Sequence, residues 1–182
     1  YPVKCYFLVC RETRATAVID TGANPEAIIK KARDLGVKPE KILLTHTHPD
    51  HAGGLGKLDS AFGCPTWVDK IEPRPSGSRD LRLIEEGDSI MLGKLKIETI
   101  PTRGHTPGGI SFKVNHSVIS GDAIFAGSMG RANFSWVDLF GSITKNLLTL
   151  PKNTRLYPGH GPATTVGEEK LHNPFFYDKV FQ

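Results

Sequence analysis

The chain has 182 residues, 38% of them hydrophobic, with 23 basic and 19 acidic side chains for a net charge of +4. That length suits a single domain over residues 1–182, one that would bury roughly 70% of the surface its unfolded form exposes. There is no run of 18 apolar residues to span a membrane and no dense Lys/Arg cluster interleaved with aromatics to bind nucleic acid, while the small positive excess favours an anionic small-molecule substrate.

In chain order, Cys5 to Cys10 and Ala15 to Asp20 read as a hairpin turning through Glu12-Thr13-Arg14. Asn24 is placed to cap a helix with Pro25 at its first position and Gly36 just past its end. Ile28, Ala32 and Leu35 give that helix one apolar stripe. Ile42 to Thr45 reads as a short strand buried on both faces, and a second helix is expected from Gly54 to Phe62. Residues 70–87 contain Pro73, Pro75, Ser76, Gly77 and several charges, and read as a surface excursion. Strands are expected near Ser89 to Leu92, Leu95 to Pro101, Ile110 to Val114 and Ser117 to Ser120, the last two turning at Asn115-His116. A helix covers roughly Trp136 to Leu150. Cys5, Cys10 and Cys64 are odd in number and lack a CxxC spacing, so they read as buried free thiols in a reducing compartment. The opening Tyr1-Pro2-Val3-Lys4 has neither the basic nor the apolar part of a signal peptide, and a cytoplasmic location is expected.

The chemistry is concentrated in His46-Thr47-His48-Pro49-Asp50-His51, directly after the apolar strand. Imidazole nitrogen and carboxylate oxygen are the donors a borderline divalent ion such as zinc prefers, and imidazole also suits iron. In an extended segment His46 and His48 point the same way, because side chains alternate with period two. Asp50 and His51 lie past a turn, free to face a second ion. Pro49 argues against a helical residue before it, so the His-x-His pair is not the helical i, i+4 zinc motif. Three further ligand types end strand-like stretches: His105 in Gly104-His105-Thr106-Pro107-Gly108-Gly109, Asp122 after Gly121, and His160 in Pro158-Gly159-His160-Gly161-Pro162. Loops at strand ends are where rigid elements can aim such groups.

In this order, His46-x-His48-x-Asp50-His51, His105, Asp122 and His160 resemble the metallo-β-lactamase superfamily over nearly the whole chain. The likeness implies an α+β fold, a four-layer sandwich with helices outside two packed sheets. It also implies that His46, His48 and His105 hold one metal, that Asp50, His51 and His160 hold a second, and that Asp122 bridges them. A closer similarity, to the single-domain glyoxalase II (hydroxyacylglutathione hydrolase) group, rests on Gly121 to Arg131, Tyr157 to Thr165 and Asn173-Pro174-Phe175. The chain departs from that group at Asn133, where relatives commonly carry Asp, and at this length the C-terminal helical domain that holds glutathione in the longer members is not expected.

What the resemblance implies is a metal-dependent hydrolase. Two divalent ions, Zn2+ first with Fe2+ or Mn2+ as alternatives, would lower the pKa of a shared water toward about 7 for attack on a thioester carbonyl. Asp50 would also orient the nucleophile, and Asp20, ending a strand before Thr21-Gly22, would hold a ligand imidazole by its other nitrogen. Arg131 has the planar fork to grip a substrate carboxylate. Tyr157, Met129 and Phe175-Phe176 are expected to pack, with His116 and His172 as bystanders. Two alternatives stand beside the thioesterase: a persulfide dioxygenase with one iron held by His46, His105 and Asp122, and a lactonase or β-lactamase of the same fold.

Overall fold

The structure, a computed structural model, describes residues 2–177. β1 (Tyr6–Val9) and β2 (Thr16–Ile19) form the expected antiparallel hairpin, and β3 (Pro39–Leu43), β4 (Thr66–Asp69) and β5 (Leu81–Ile84) extend it in parallel, in the order β1-β2-β3-β4-β5. β5 corrects the reading of residues 70–87 as excursion alone. Only Ile84 of its four residues is buried, and an edge strand exposed on most positions carries little apolar signal. β3 also begins earlier than the apolar run, because Pro39 and Lys41 pair with Thr16 and Ala17.

The second sheet is a meander of β6 (Ser89–Leu92), β7 (Leu95–Pro101), β8 (Ile110–Val114) and β9 (Ser117–Gly121). A small hairpin, β10 (Ile124–Phe125) with β11 (Ser128–Met129), follows outside the sheet. β12 (Arg155–Pro158) returns parallel to β9, and β13 (Thr164–Thr165) closes the edge. The order is β13-β12-β9-β8-β7-β6.

Among the described residues, the α-helices outside or between these strands are α1 (Pro25–Asp34), α2 (Pro49–Ala52), α3 (Leu55–Phe62), α4 (Trp136–Ser142) and α5 (Val166–His172). α1 starts as its sequence directs, with Asn24 accepting from the Ala27 N–H at 3.2 Å and Pro25 in the first turn. Its stripe is shorter than expected. Ile28 and Ala32 are buried, but Leu35 falls at the helix end, where the chain turns away toward Gly36, and is 39% exposed. The helix expected from Trp136 to Leu150 divides: α4 gives way at Ile143–Leu147 to a wider π turn. Hydroxyls compete with the helical ladder there, Thr144 donating to the Phe140 and Gly141 carbonyls and Ser142 to that of Asp138.

Period-two alternation sorts the strand residues into layers. Ala17, Ile19 and Leu43 point inward against Ile97, Phe112 and Ile119 of the other sheet. Val18, Ile42 and Leu44 point outward beneath Ile28 of α1 and Leu55 and Leu58 of α3. On the far side Val118 and Leu156 meet Leu139, Ile143, Leu147 and Phe176. Each such large side chain stabilises the fold by about 1.5–3 kcal/mol. The result is the four-layer sandwich. Cys10 and Cys64 are buried free thiols, whereas Cys5 is only partly covered. Tyr157 and Met129 pack as expected, and Phe176 is core while Phe175 sits half-buried at its margin.

Candidate metal centre

The parallel strands bring their carboxyl ends to one rim of the sandwich, and the predicted side chains project from the loops there. Asp20 ends β2, and His46 follows β3. Asp122 follows β9, and His160 follows β12. His105 lies in the loop between β7 and β8. His48 keeps extended backbone before Pro49 (φ −59°, ψ 147°), and α2 is one helical turn that carries Asp50 and His51 around the corner. The local chain thus presents two imidazoles on one side and an acid–imidazole pair on the other.

All seven side chains meet. His46, His48 and His105 each direct a ligand atom, here a ring nitrogen, into a space where the three atoms lie within 4.8 Å of one another; the ligand atoms of His46, His51 and Asp122 do the same, as do those of Asp50, His51 and His160. His48 Nδ1 and His105 Nε2 are 3.0 Å apart. Asp122 sits between the groups, its Oδ1 3.3 Å from His51 Nε2 and its Oδ2 3.7 Å from His105 Nε2 and 3.5 Å from His160 Nε2. Asp50 Oδ2 is 3.3 Å from His160 Nε2. His46, His51 and His105 are buried, His48, Asp122 and His160 half-buried, and Asp50 exposed. His116 and His172 lie on the surface away from the cluster.

Each buried imidazole is oriented by its other nitrogen. His51 Nδ1–H donates to Asp20 Oδ2 at 2.8 Å, His105 Nδ1–H to the Arg131 carbonyl at 2.7 Å, and His46 Nδ1 lies 3.1 Å from the Thr45 hydroxyl. Asp20 is 1% exposed and also accepts from the Thr45 N–H and hydroxyl, both at 2.8 Å. Its φ of +58° places it in the left-handed region, a strained conformation that aims the carboxylate back into the rim. This arrangement holds Nε2 of each of the three rings toward the shared space.

The electrostatics of that space are those of donors waiting for a cation. Nε2 of His46, Nε2 of His51 and Oδ1 of Asp122 are buried without a hydrogen-bond partner, a rare state for polar atoms that an ion would explain. Burial, reinforced by the neighbouring imidazoles, drives His46 well below its ordinary pKa, and burial lowers His105 as well. Both are held as neutral ligands. Burial also opposes a charge on His51, but the Asp20 and Asp122 carboxylates overcome it and raise His51 to about 10. Desolvation pushes Asp122 up, yet His51, His160 and His105 hold it below its ordinary value. The residues therefore fit divalent metal in number, donor type and orientation.

Gly159 makes the approach of the His160 loop possible. A Cβ there would overlap Asp122 Oδ1 and stand 2.6 Å from His51 Cε1. Beside the cluster opens a cleft of about 510 Å³ lined by His105, Asp122, Phe125, Ala126, Arg131 and His160, among others. Arg131 is exposed and borders this cleft, and Asn133 is exposed nearby. The 124–129 hairpin that forms one wall is held from behind by the buried Glu169 of α5. Glu169 accepts from the Gly127 N–H at 3.0 Å, from the Thr164 hydroxyl at 2.6 Å and from Asn173 Nδ2 at 2.6 Å. Sequence reasoning missed Thr45, Glu72, the β10–β11 hairpin and Glu169; only the i, i+4 spacing of Glu169 and Asn173 offered a signal.

Comparison with known proteins agrees with this geometry. The chain belongs to the metallo-beta-lactamase superfamily, whose profile matches residues 1–160. It is 37% identical to a probable metallo-hydrolase of Streptococcus pyogenes (94% of this chain, 84% of the relative) and 35% identical to a probable metallo-hydrolase of Bacillus subtilis (93% and 90%). A hydroxyacylglutathione hydrolase of Haemophilus influenzae is 32% identical over 94% of this chain and 92% of its own. Among solved structures, the BLEG-1 B3 metallo-beta-lactamase superposes with a TM-score of 0.87 at 28% identity, covering 100% of this chain and 98% of that one. TTHA1623, in a di-iron-bound form, superposes at 0.85 with 31% identity (97% and 97%), and ETHE1 from Myxococcus xanthus at 0.85 with 28% identity (95% and 79%). Among the described residues, no helix is long and apolar enough to cross a membrane.

Proposed function

We propose that the protein is a two-metal hydrolase of small anionic acyl thioesters, of the hydroxyacylglutathione type. The observation that carries this reading is the convergence of seven ligand-type side chains around buried nitrogens and an oxygen that lack any other partner. His46, His48 and His105 would hold one ion, Asp50, His51 and His160 a second, with Asp122 between them. The ligand set suits zinc best, with iron or manganese as alternatives. When bound, such ions supply Lewis acidity, activating water near neutral pH and polarising an acyl oxygen.

The chain's own residues do the rest. Asp20, Thr45 and the Arg131 carbonyl fix the imidazoles, so little reorganisation is left for the reaction itself. Asp50 is open to solvent beside His160 and can accept a hydrogen bond from the attacking water, orienting it toward the cleft. Arg131 offers a paired N–H fork to a carboxylate at one side of the cleft, and Phe125 and Ala126 form an apolar wall for the acyl portion. A thioester needs no protonation of its leaving group, because a thiolate departs readily near neutral pH.

The likeness to the hydroxyacylglutathione hydrolase supports the thioester class. A single-iron persulfide dioxygenase is the competing reading. Convergence of Asp50, His51 and His160 as a second complete triad favours two ions over one. The test is a panel of S-lactoylglutathione, other acyl thioesters, lactones and glutathione persulfide, offered to zinc-loaded and iron-loaded protein. Thioester hydrolysis by the zinc form is the expected result. Oxygen uptake with persulfide by the iron form, with no thioester turnover by either, would overturn the proposal.

A further inference from the structure

Glu72 belongs to the polar stretch after β4, yet it is only 5% exposed. The turn that carries it is built by Asp69, whose carboxylate accepts from the Ile71 N–H at 2.8 Å and whose carbonyl accepts from the Glu72 N–H at 3.0 Å. From there the two oxygens of Glu72 reach different loops. Oε1 accepts from the Thr47 N–H and hydroxyl, both at 3.0 Å. Oε2 accepts from the Gly108 N–H at 2.8 Å.

Thr47 separates His46 from His48, and Gly108 lies in the loop that carries His105. One buried carboxylate therefore ties together the two loops that bear the His46, His48 and His105 triad. The contact demands glycine at 108: a Cβ there would stand 2.8 Å from the Glu72 Cα. Arg103, just before Gly104-His105, lies 3.9 Å from Asp69 and adds a looser link between the same turn and the same loop.

We propose that Glu72 is a positioning residue for this triad, setting the separation of its two loops and hence the spacing of the three nitrogens. The proposal rests on the reading that these imidazoles hold a divalent ion. Its physical basis is preorganisation. Two loops from different strands would otherwise be tied at the triad by the 3.0 Å hydrogen bond between His48 Nδ1 and His105 Nε2, which a bound ion would have to replace. A carboxylate suits the task because all its lone pairs accept, and three donors converge on it. Glutamine cannot replace it, since its amide NH2 would face a donor on one of the two loops.

The experiment measures zinc affinity by competition with a chromophoric chelator, together with the circular dichroism of the metal-free chain. The chains compared are wild type, Glu72→Gln, and Glu72→Gln combined with His160→Ala or with His48→Ala. Glu72→Gln is expected to weaken zinc binding by about tenfold to a hundredfold, the usual cost of losing an outer hydrogen-bond partner of a metal site. The same loss is expected in the His160→Ala chain, where the first triad is intact. In the His48→Ala chain, where that triad is already broken, the change should stay below about twofold. Wild-type affinity in a folded Glu72→Gln protein would overturn the proposal, and so would an equal loss in the His48→Ala chain. If Glu72→Gln does not fold, Thr47→Val removes one of the three bonds, and the expected loss is about two- to tenfold; no loss overturns the proposal. A wild-type chain that binds no zinc removes the metal-centre reading itself, and the clamp with it.

Discussion

Replacing Asp20 with Asn probes the device that orients the metal-facing imidazoles while leaving shape and backbone nearly unchanged. Asn tolerates the left-handed region that Asp20 occupies at φ +58°, so no new strain is introduced. The amide oxygen can still accept from the Thr45 N–H, but its NH2 group replaces the oxygen that accepts from the Thr45 hydroxyl and His51 Nδ1–H. Hydrogen bonds to a buried charged group contribute about 1.5–3 kcal/mol each. With Asp20 at 1% exposure, losing the bond to His51 and weakening that to Thr45 should cost the metal-free fold about 3 kcal/mol. The tautomer is affected as well. Facing an amide donor, His51 Nδ1 must accept, so the neutral ring keeps its proton on Nε2, the atom that faces Asp122 and the candidate ions, rather than on Nδ1 as a metal-bound Nε2 requires. Zinc affinity should then fall by about tenfold to a hundredfold. Urea unfolding of the metal-free protein and calorimetric zinc titration at neutral pH measure the two effects separately. An Asp20→Asn protein with wild-type stability and wild-type zinc affinity would refute the reasoning.

Further predictions follow from the same geometry. In the metal-free protein, His51 has a pKa raised from 6.5 to about 10, so its contribution to stability is fully present below about pH 6.5 and is lost as pH rises toward 10. The stability difference between wild type and His51→Gln, measured by thermal unfolding, should therefore narrow across that window, and a constant difference would contradict it. Glu169→Ala removes three acceptor contacts behind the cleft wall and should lower stability by about 2–4 kcal/mol, read as a drop in urea midpoint; an unchanged midpoint would contradict the role given to α5. Arg131→Ala should raise KM at most about fivefold for thioesters bearing a carboxylate and leave KM for uncharged ones unchanged, since an exposed ion pair contributes only about 1 kcal/mol. Equal effects on both substrate types would remove Arg131 from the substrate's carboxylate.

The parts of the fold and the site that could be read from sequence were those with local, redundant signals. Asn24-Pro25 fixes a helix start through capping chemistry confined to four residues, and the structure repeats it. The ligand types could be found because six neighbouring residues, His46 to His51, hold four of them, and each distant one directly follows a glycine past a short apolar strand. Asp20 was visible for the same reason, as an acid at a strand end. What escaped notice depends on distant partners. Glu72 is surrounded in sequence by prolines and charges and is buried only because Thr47 and Gly108 come to meet it. β5 escaped because an edge strand leaves most of its residues exposed, and the π turn because hydroxyl competition is invisible in hydrophobic periodicity. Leu35 has the spacing of a core residue, but the helix ends before the core can receive it.

The most direct measurement is the number of divalent ions bound per chain, by elemental analysis of protein dialysed against zinc, for wild type and for Asp122→Ala. Because Asp122 lies between the two imidazole groups, two ions per wild-type chain and a substantial loss in the variant are the predicted result. A wild-type protein that retains no metal, or an Asp122→Ala protein that retains both ions at full affinity, would contradict it.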